Sequence, residues 1–244
     1  GAHSLDHIVV DEGQDLPEGF FRYARRHAAI ALTVFADDDQ ALTDLRTSLE
    51  QIKDAARLPD PRILRDNHRN SPEIAAVAEH FHAGRLPAAT VRRPVTAQRP
   101  RLVYSPNPQE TCERVATAFR NRGGTVGVVV RSNSTGLAVF KGLRDILPDG
   151  RVSHYTAARK NENSIALLKP GITVLNKESV KGQEFDTVFL LEVEELVPCR
   201  TEAMRRAMYM LCSRARDTLV LVHGRPLSAS ATGALPCELL LERG

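Results

Sequence analysis

Apolar positions along the chain fall in short unbroken runs, beginning with LDHIVV (5–10) and LTVFA (32–36). Runs that are β-rich and lack polar alternation predict strands buried on both faces, and FFRYARRHAAIA between them predicts a helix. Together they predict a parallel sheet covered by helices on both sides. RILRDN (62–67) reads as a further strand. Ser71-Pro72-Glu73 then opens a helix, with serine at the cap and proline at the first helical position; it carries EIAAVAEHFH and ends near Gly84.

From Leu86 to Pro100 the chain is rich in Pro, Arg and Thr without a period, which predicts a connection between two domains. A long surface loop within one domain is the alternative. The alternation then restarts, with RLVYS, TVGVVV, RVSHY, ITVLN (172–176), DTVFLLEV (186–193) and TLVLVH (218–223) as strands. PQETCERVATAFRNR, STGLAVFKGLRDIL and a segment from Glu202 to Arg214 are the intervening helices. This spacing predicts a doubly wound α/β domain over 96–244, preceded by a smaller one over 1–95.

Composition narrows the picture little. Of 244 residues, 42% are apolar and 26% charged, so a packed core is expected and extended disorder is not. A formal charge of +3 permits a nucleic-acid partner without requiring one. Cysteines at 112, 199, 212 and 237 have neither CxxC spacing nor clustered histidines, so they read as reduced thiols of a cytoplasmic protein rather than a zinc site or disulfide frame. No apolar run approaches the roughly 20 residues of a membrane span, so no membrane partner is expected.

The chemistry sits where strands end. Asp11 and Glu12 follow an apolar run at the carboxyl edge of a sheet, where α/β proteins bind ligands. One carboxylate there can hold hydrated magnesium while its neighbour polarises water. LTVFADDDQAL empties a second strand into Asp37, Asp38, Asp39 and Gln40. LRDNHRNS sets Arg69 ahead of a helix, NKESVKGQEFDTVFL contains Lys181-Gly182-Gln183-Glu184, and RRAMYMLCSRARDTLVLV places Arg214 between a helix and a strand. Taken singly, each has a plainer reading: arginines at a helix C-terminus are favoured by its dipole, and Lys181-Gly182 reads equally as a helix cap.

In this order, the five motifs resemble motifs II to VI of the UvrD/Rep-like superfamily 1 helicases, over residues 5 to about 223, most clearly in KGQEFDTVFL and YMLCSRARDTLVLV. The resemblance implies P-loop NTPase-type, RecA-like parallel sheets with flanking helices. It implies an incomplete first RecA-like domain (1–95, motifs II to IV) followed by a compact second one (96–244, motifs V and VI). It also implies ATP and Mg2+ as cofactors and single-stranded DNA as partner, with RNA left open. By position, Asp11 would hold the magnesium, Glu12 activate water, and Gln40 sense the γ-phosphate, to which Arg69 and Arg214 offer bidentate charge. His68 would stack on adenine, Glu184 reach the ribose, Gly182 let backbone approach the ligand, and Asp37 and Lys181 connect the site to the nucleic-acid track.

The sequence also departs from the pattern. No GxxxxGK(S/T) phosphate loop occurs in it, so this chain alone is expected to bind ATP weakly and hydrolyse it negligibly. That loop, and the strand before it, are expected from an upstream segment or a separate chain. Thr43 and Leu45 stand where the family stacks aromatic rings on bases, and Glu178 where it commonly has histidine. A helicase-derived binding module without catalysis, or a nucleotide-dependent switch in a repair or defence assembly, therefore stay open as alternatives.

Overall fold

The computed structural model describes residues 4–37, 47–83, 87–149, 151–155 and 169–243. The chain begins with β1 (Leu5–Val10). The short helix α1 (Glu18–Tyr23) follows and runs on as a π-turn over Ala24–Ala28. β2 (Ala29–Val34) lies parallel to β1, with Val10 opposite Val34. The strand therefore starts earlier than LTVFA: the alanines of AIALTV favour a helix locally, but pairing with β1 takes them into the sheet. α2 (Leu49–Ala56) is started by a capping box in which Ser48 and Gln51 satisfy each other's backbone amides. One face of this unit closes a small core of Val10, Phe21, Ala24, Leu32, Ile52 and Ala56. Its other face leaves Leu5 and Val9 at 51% and 63% exposure.

RILRDN forms almost no strand. Only β3 (Asp66–Asn67) pairs, because the sole neighbour it finds among the described residues is the two-residue β4 (Thr90–Val91) beyond α3 (Pro72–His80). The main body then follows as β5 (Arg101–Tyr104), α4 (Pro108–Arg122), β6 (Thr125–Val130), α5 (Asn133–Ile146), β7 (Val152–Tyr155), β8 (Gly171–Asn176) and β9 (Phe185–Leu190). It ends with α6 (Glu202–Cys212), β10 (Ala215–His223), α7 (Ala229–Gly233) and β11 (Leu241–Arg243). Seven strands make one parallel sheet in the order β11-β5-β10-β9-β6-β8-β7. Its central strands are buried on both faces, as their unbroken apolar runs require. α4 and α5 cover one face through Val115, Phe119, Val139 and Leu143. The other face is covered by α3 and α6, through Ile74, Val77, Met208 and Leu211. This is a RecA-like helicase-domain fold.

The expected boundary at 95/96 assigns α3 to the first unit, yet Ile74, Val77, Ala78 and Phe81 lie in the core of the large sheet. The change of core falls between α2 and α3. The Pro- and Arg-rich stretch expected as a connection is a strap bound to that same body. Thr96 and Ala97 donate their amides to Glu73 Oε1 at 2.8 and 2.7 Å, and Arg99 reaches the carbonyl of Leu240 at 3.0 Å. These bonds draw the Glu73 carboxyl below its ordinary range although burial pushes the other way. Among the described residues no helix is long and apolar enough to cross a membrane.

Candidate functional site

β1 delivers DEGQD to the carboxyl edge of the small sheet, and the loop is held by its own side chains. Asp11 is exposed and accepts the Glu12 amide at 2.9 Å. Glu12 takes a left-handed conformation, φ 52°, which costs a non-glycine residue on the order of 1 kcal/mol. Gln14 is fully buried and offsets this: Nε2 donates to Glu12 Oε2 at 2.6 Å, while Oε1 accepts the Asp37 amide at 3.0 Å. One glutamine thus fixes the acidic ends of β1 and β2 together. Between them the Gly13 amide bonds to Phe35 O at 2.8 Å, and a Cβ on Gly13 would lie 2.5 Å from Val34 Cγ1. The glycine is there for close approach.

The large body presents its charges from three segments. In the turn before α3, Asn67 Oδ1 accepts the amides of Arg69 and Asn70, at 3.0 and 3.1 Å. Asn70, 3% exposed, donates to the carbonyls of Ser213 and Ala215 at 2.9 and 2.6 Å. Arg93 of the strap donates to the carbonyls of Arg69 and Arg216, both at 2.8 Å, and pairs with Asp217. The Arg69 turn and the Arg214 turn are therefore clamped to each other through backbone. Between α6 and β10, Arg214 is 1% exposed, with Nε donating to Met210 O at 3.1 Å. Burial pushes its guanidinium down to about 10, and the neighbouring Arg69 cation pushes the same way. Glu12, Glu184 and Asp37 oppose them. Arg69 pairs with Glu184. Gly182 supplies the positive φ, 73°, of the turn before β9, and nothing stands near where its Cβ would be.

The two bodies meet at this point. Lys181 pairs with Asp15 and stands 3.4 Å from Glu12 Oε2. Glu12, Asp37, Arg69, Lys181, Glu184 and Arg214, read from five separate stretches, thus gather at one joint, with Gly182 in the same loop as Lys181 and Glu184 and the exposed Asp11 next to Glu12. His68 is exposed on the turn that carries Arg69. Gln40, with Asp38, Asp39, Thr43 and Leu45, lies outside the described residues. Sequence reasoning missed Gln14, Asp15, Asn67 and Asn70, and reads Arg93 as a solvated linker arginine although it binds the carbonyls of Arg69 and Arg216. The first two stand inside DEGQD itself; the others bind backbone, which leaves no motif.

Among the described residues no cluster of three or more His, Cys, Asp or Glu is arranged to hold a metal by itself. Magnesium needs less, since it keeps most of its water and takes one or two carboxylates together with phosphate oxygens. The exposed Asp11 fits that role.

The fold defines the class as a RecA-like, helicase-domain α/β protein. No family model matches the chain, and no curated protein does. Among solved structures it is similar to the C-terminal domain of a possible DNA helicase from Lactobacillus plantarum WCFS1, at 23% identity and a TM-score of 0.52. That match covers 72% of this chain and 98% of the other. A complex of the arterivirus nonstructural protein 10 helicase with DNA matches at 13% identity over 70% of this chain and 37% of that one. Its TM-score is 0.38. At these identities the likeness is one of fold.

Proposed function

We propose that the chain is part of an ATP-dependent helicase or translocase of the UvrD/Rep-like superfamily 1 type, acting on single-stranded DNA, with RNA an open alternative. The observation that carries this reading is the approach of Arg69 to the buried Arg214. Burial pushes the Arg214 guanidinium down to about 10, the Arg69 cation pushes the same way, and Glu12, Glu184 and Asp37 oppose them. A polyphosphate supplies the charge and the oxygen geometry that such a pair binds.

The residues present fit one half of a triphosphate site. Bound Mg·ATP would supply the phosphoanhydride to be cleaved, with Asp11 holding the metal and Arg69 and Arg214 meeting the γ-phosphate. Glu12, fixed by Gln14, is placed to take a proton from water. The ion pairs of Lys181 with Glu12 and Asp15 tie the loop 181–184 to the acidic loop, so a change of charge at Glu12 is felt on the second body. The phosphate loop occurs nowhere in the 244 residues, and we read the isolated chain as inactive, completed by an upstream segment or a separate chain. The exposed Leu5 and Val9 on the small sheet support this, since apolar sheet faces are normally covered.

The test is a titration of a fluorescent ATP analogue with magnesium into the complete gene product, wild type and Arg69→Ala. Binding weakened about tenfold or more is expected, the loss of one charge-assisted contact of about 1.5–3 kcal/mol. Equal binding would remove the reading.

A further inference from the structure

A second concentration of charge lies on the small body, away from the joint. α1 and its π-turn run back from the carboxyl edge of β1 to the start of β2, and α2 packs beside them. Where both end, Arg22, Arg25 and Arg26 from one and Asp54, Ala55 and Arg57 from the other line a cavity of about 440 Å³. Four guanidiniums and one carboxylate line it, and one of the four, Arg22, also pairs with Glu18.

Fold stability does not account for the group. Arg22 pairs with Glu18, and Arg25 Nη1 donates to Ile30 O at 2.6 Å. Arg26 and Arg57 have no such partner among the described residues. Cations at helix C-termini are favoured by the dipole, but four in one cavity repel one another. Arg57 also sits at the left-handed cap of α2, φ 52°, where glycine is the ordinary occupant. On the adjoining stripe of the same helix, Tyr23 is 63% exposed with its ring 5.4 Å from that of His27. Guanidiniums interleaved with an open aromatic pair are what a single strand engages, phosphates on the cations and bases on the rings. The only apolar lining residue is Ala55, so recognition here is by charge.

We propose that this arginine-lined cavity binds the phosphodiester backbone of a single nucleic-acid strand, at a site separate from the Arg69–Arg214 joint. The proposal rests on the functional reading above only for the choice of nucleic acid among polyanions.

The experiment is fluorescence anisotropy of a labelled oligothymidylate with the 244-residue chain, between about 50 and 200 mM salt. Arg26→Ala/Arg57→Ala removes two unpaired surface cations and leaves every hydrogen bond of the fold in place. Arg131→Ala/Lys141→Ala removes the same charge from the large body as a control. The cavity double variant is expected to bind about tenfold more weakly at the lower salt, with the log–log salt slope reduced by about 1.4, and the control to match wild type. A wild-type slope retained in the cavity variant overturns the cavity and leaves the strand-binding reading standing. No strand binding by the wild-type chain overturns the cavity proposal, while the functional reading is tested separately on the complete gene product. Displacement of the strand by polyglutamate at equal charge concentration marks an acidic-peptide site and overturns the proposal as well.

Discussion

Asn70 brackets Arg214: its single Nδ2 donates to the carbonyls of Ser213 and Ala215, the residues on either side of the buried arginine, at 2.9 and 2.6 Å. The amide that orients Arg214 thus adjoins Arg69 in sequence. Neither cation can move without the other's turn following. Asn70→Ala leaves two buried carbonyls without a donor and is expected to cost about 2–4 kcal/mol in denaturant unfolding. Asn70→Asp, which keeps the size but loses the donor, is expected to cost at least as much. A loss below about 0.5 kcal/mol in both would show that the clamp does not hold the turn.

Arg214→Lys keeps a cation but gives up the planar fork. If Arg214 meets transferring phosphate, strand-stimulated hydrolysis by the complete gene product is expected to fall on the order of 10³-fold. The check is single-turnover kinetics beside a thermal melt. A melt that collapses with activity would place the effect in the fold.

Gly13→Ala drives a Cβ to within 2.5 Å of Val34 Cγ1. The loop carrying Glu12 must lift from β2, and the Gly13 amide must leave Phe35 O. Destabilisation of about 1–3 kcal/mol is expected, with faster hydrogen exchange at Gly13 and Asp37. Unchanged exchange at both amides would contradict the close approach.

Glu73 holds the strap by accepting from Thr96 and Ala97, and its carboxyl lies below the ordinary range. A depressed folded-state value means that the contribution is fully present above the unfolded glutamate pKa of about 4.3, and is lost as pH falls through the folded value. Exchange protection at Thr96 and Ala97 is therefore expected to disappear on acidification below about pH 4 and to be absent at neutral pH in Glu73→Ala. Protection independent of pH in wild type would contradict this.

Strands of the large sheet were legible because central parallel strands are buried on both faces and stand out as apolar runs. The start of β2 was not, since alanine favours a helix until β1 supplies pairing. RILRDN shows the converse: β-prone residues make no strand where no neighbour runs alongside. The motif charges at the joint could be read as chemistry. Asn70 could not, because its partners are backbone carbonyls 143 and 145 residues away, which carry no residue signature. Arg93 reads as a solvated arginine of a connection, because its partners too are backbone carbonyls far away in sequence.

In the proposed function, DEGQD, Arg69 and Arg214 act together as one nucleotide-hydrolysing joint. Its most direct test is ATP hydrolysis, with and without single-stranded DNA, by the complete gene product, its Glu12→Gln variant and the 244-residue chain side by side. Strand-stimulated turnover is expected in the first, its near-complete loss in the second although ATP still binds, and none in the third. Turnover that survives Glu12→Gln, or no turnover in the complete gene product, would contradict it.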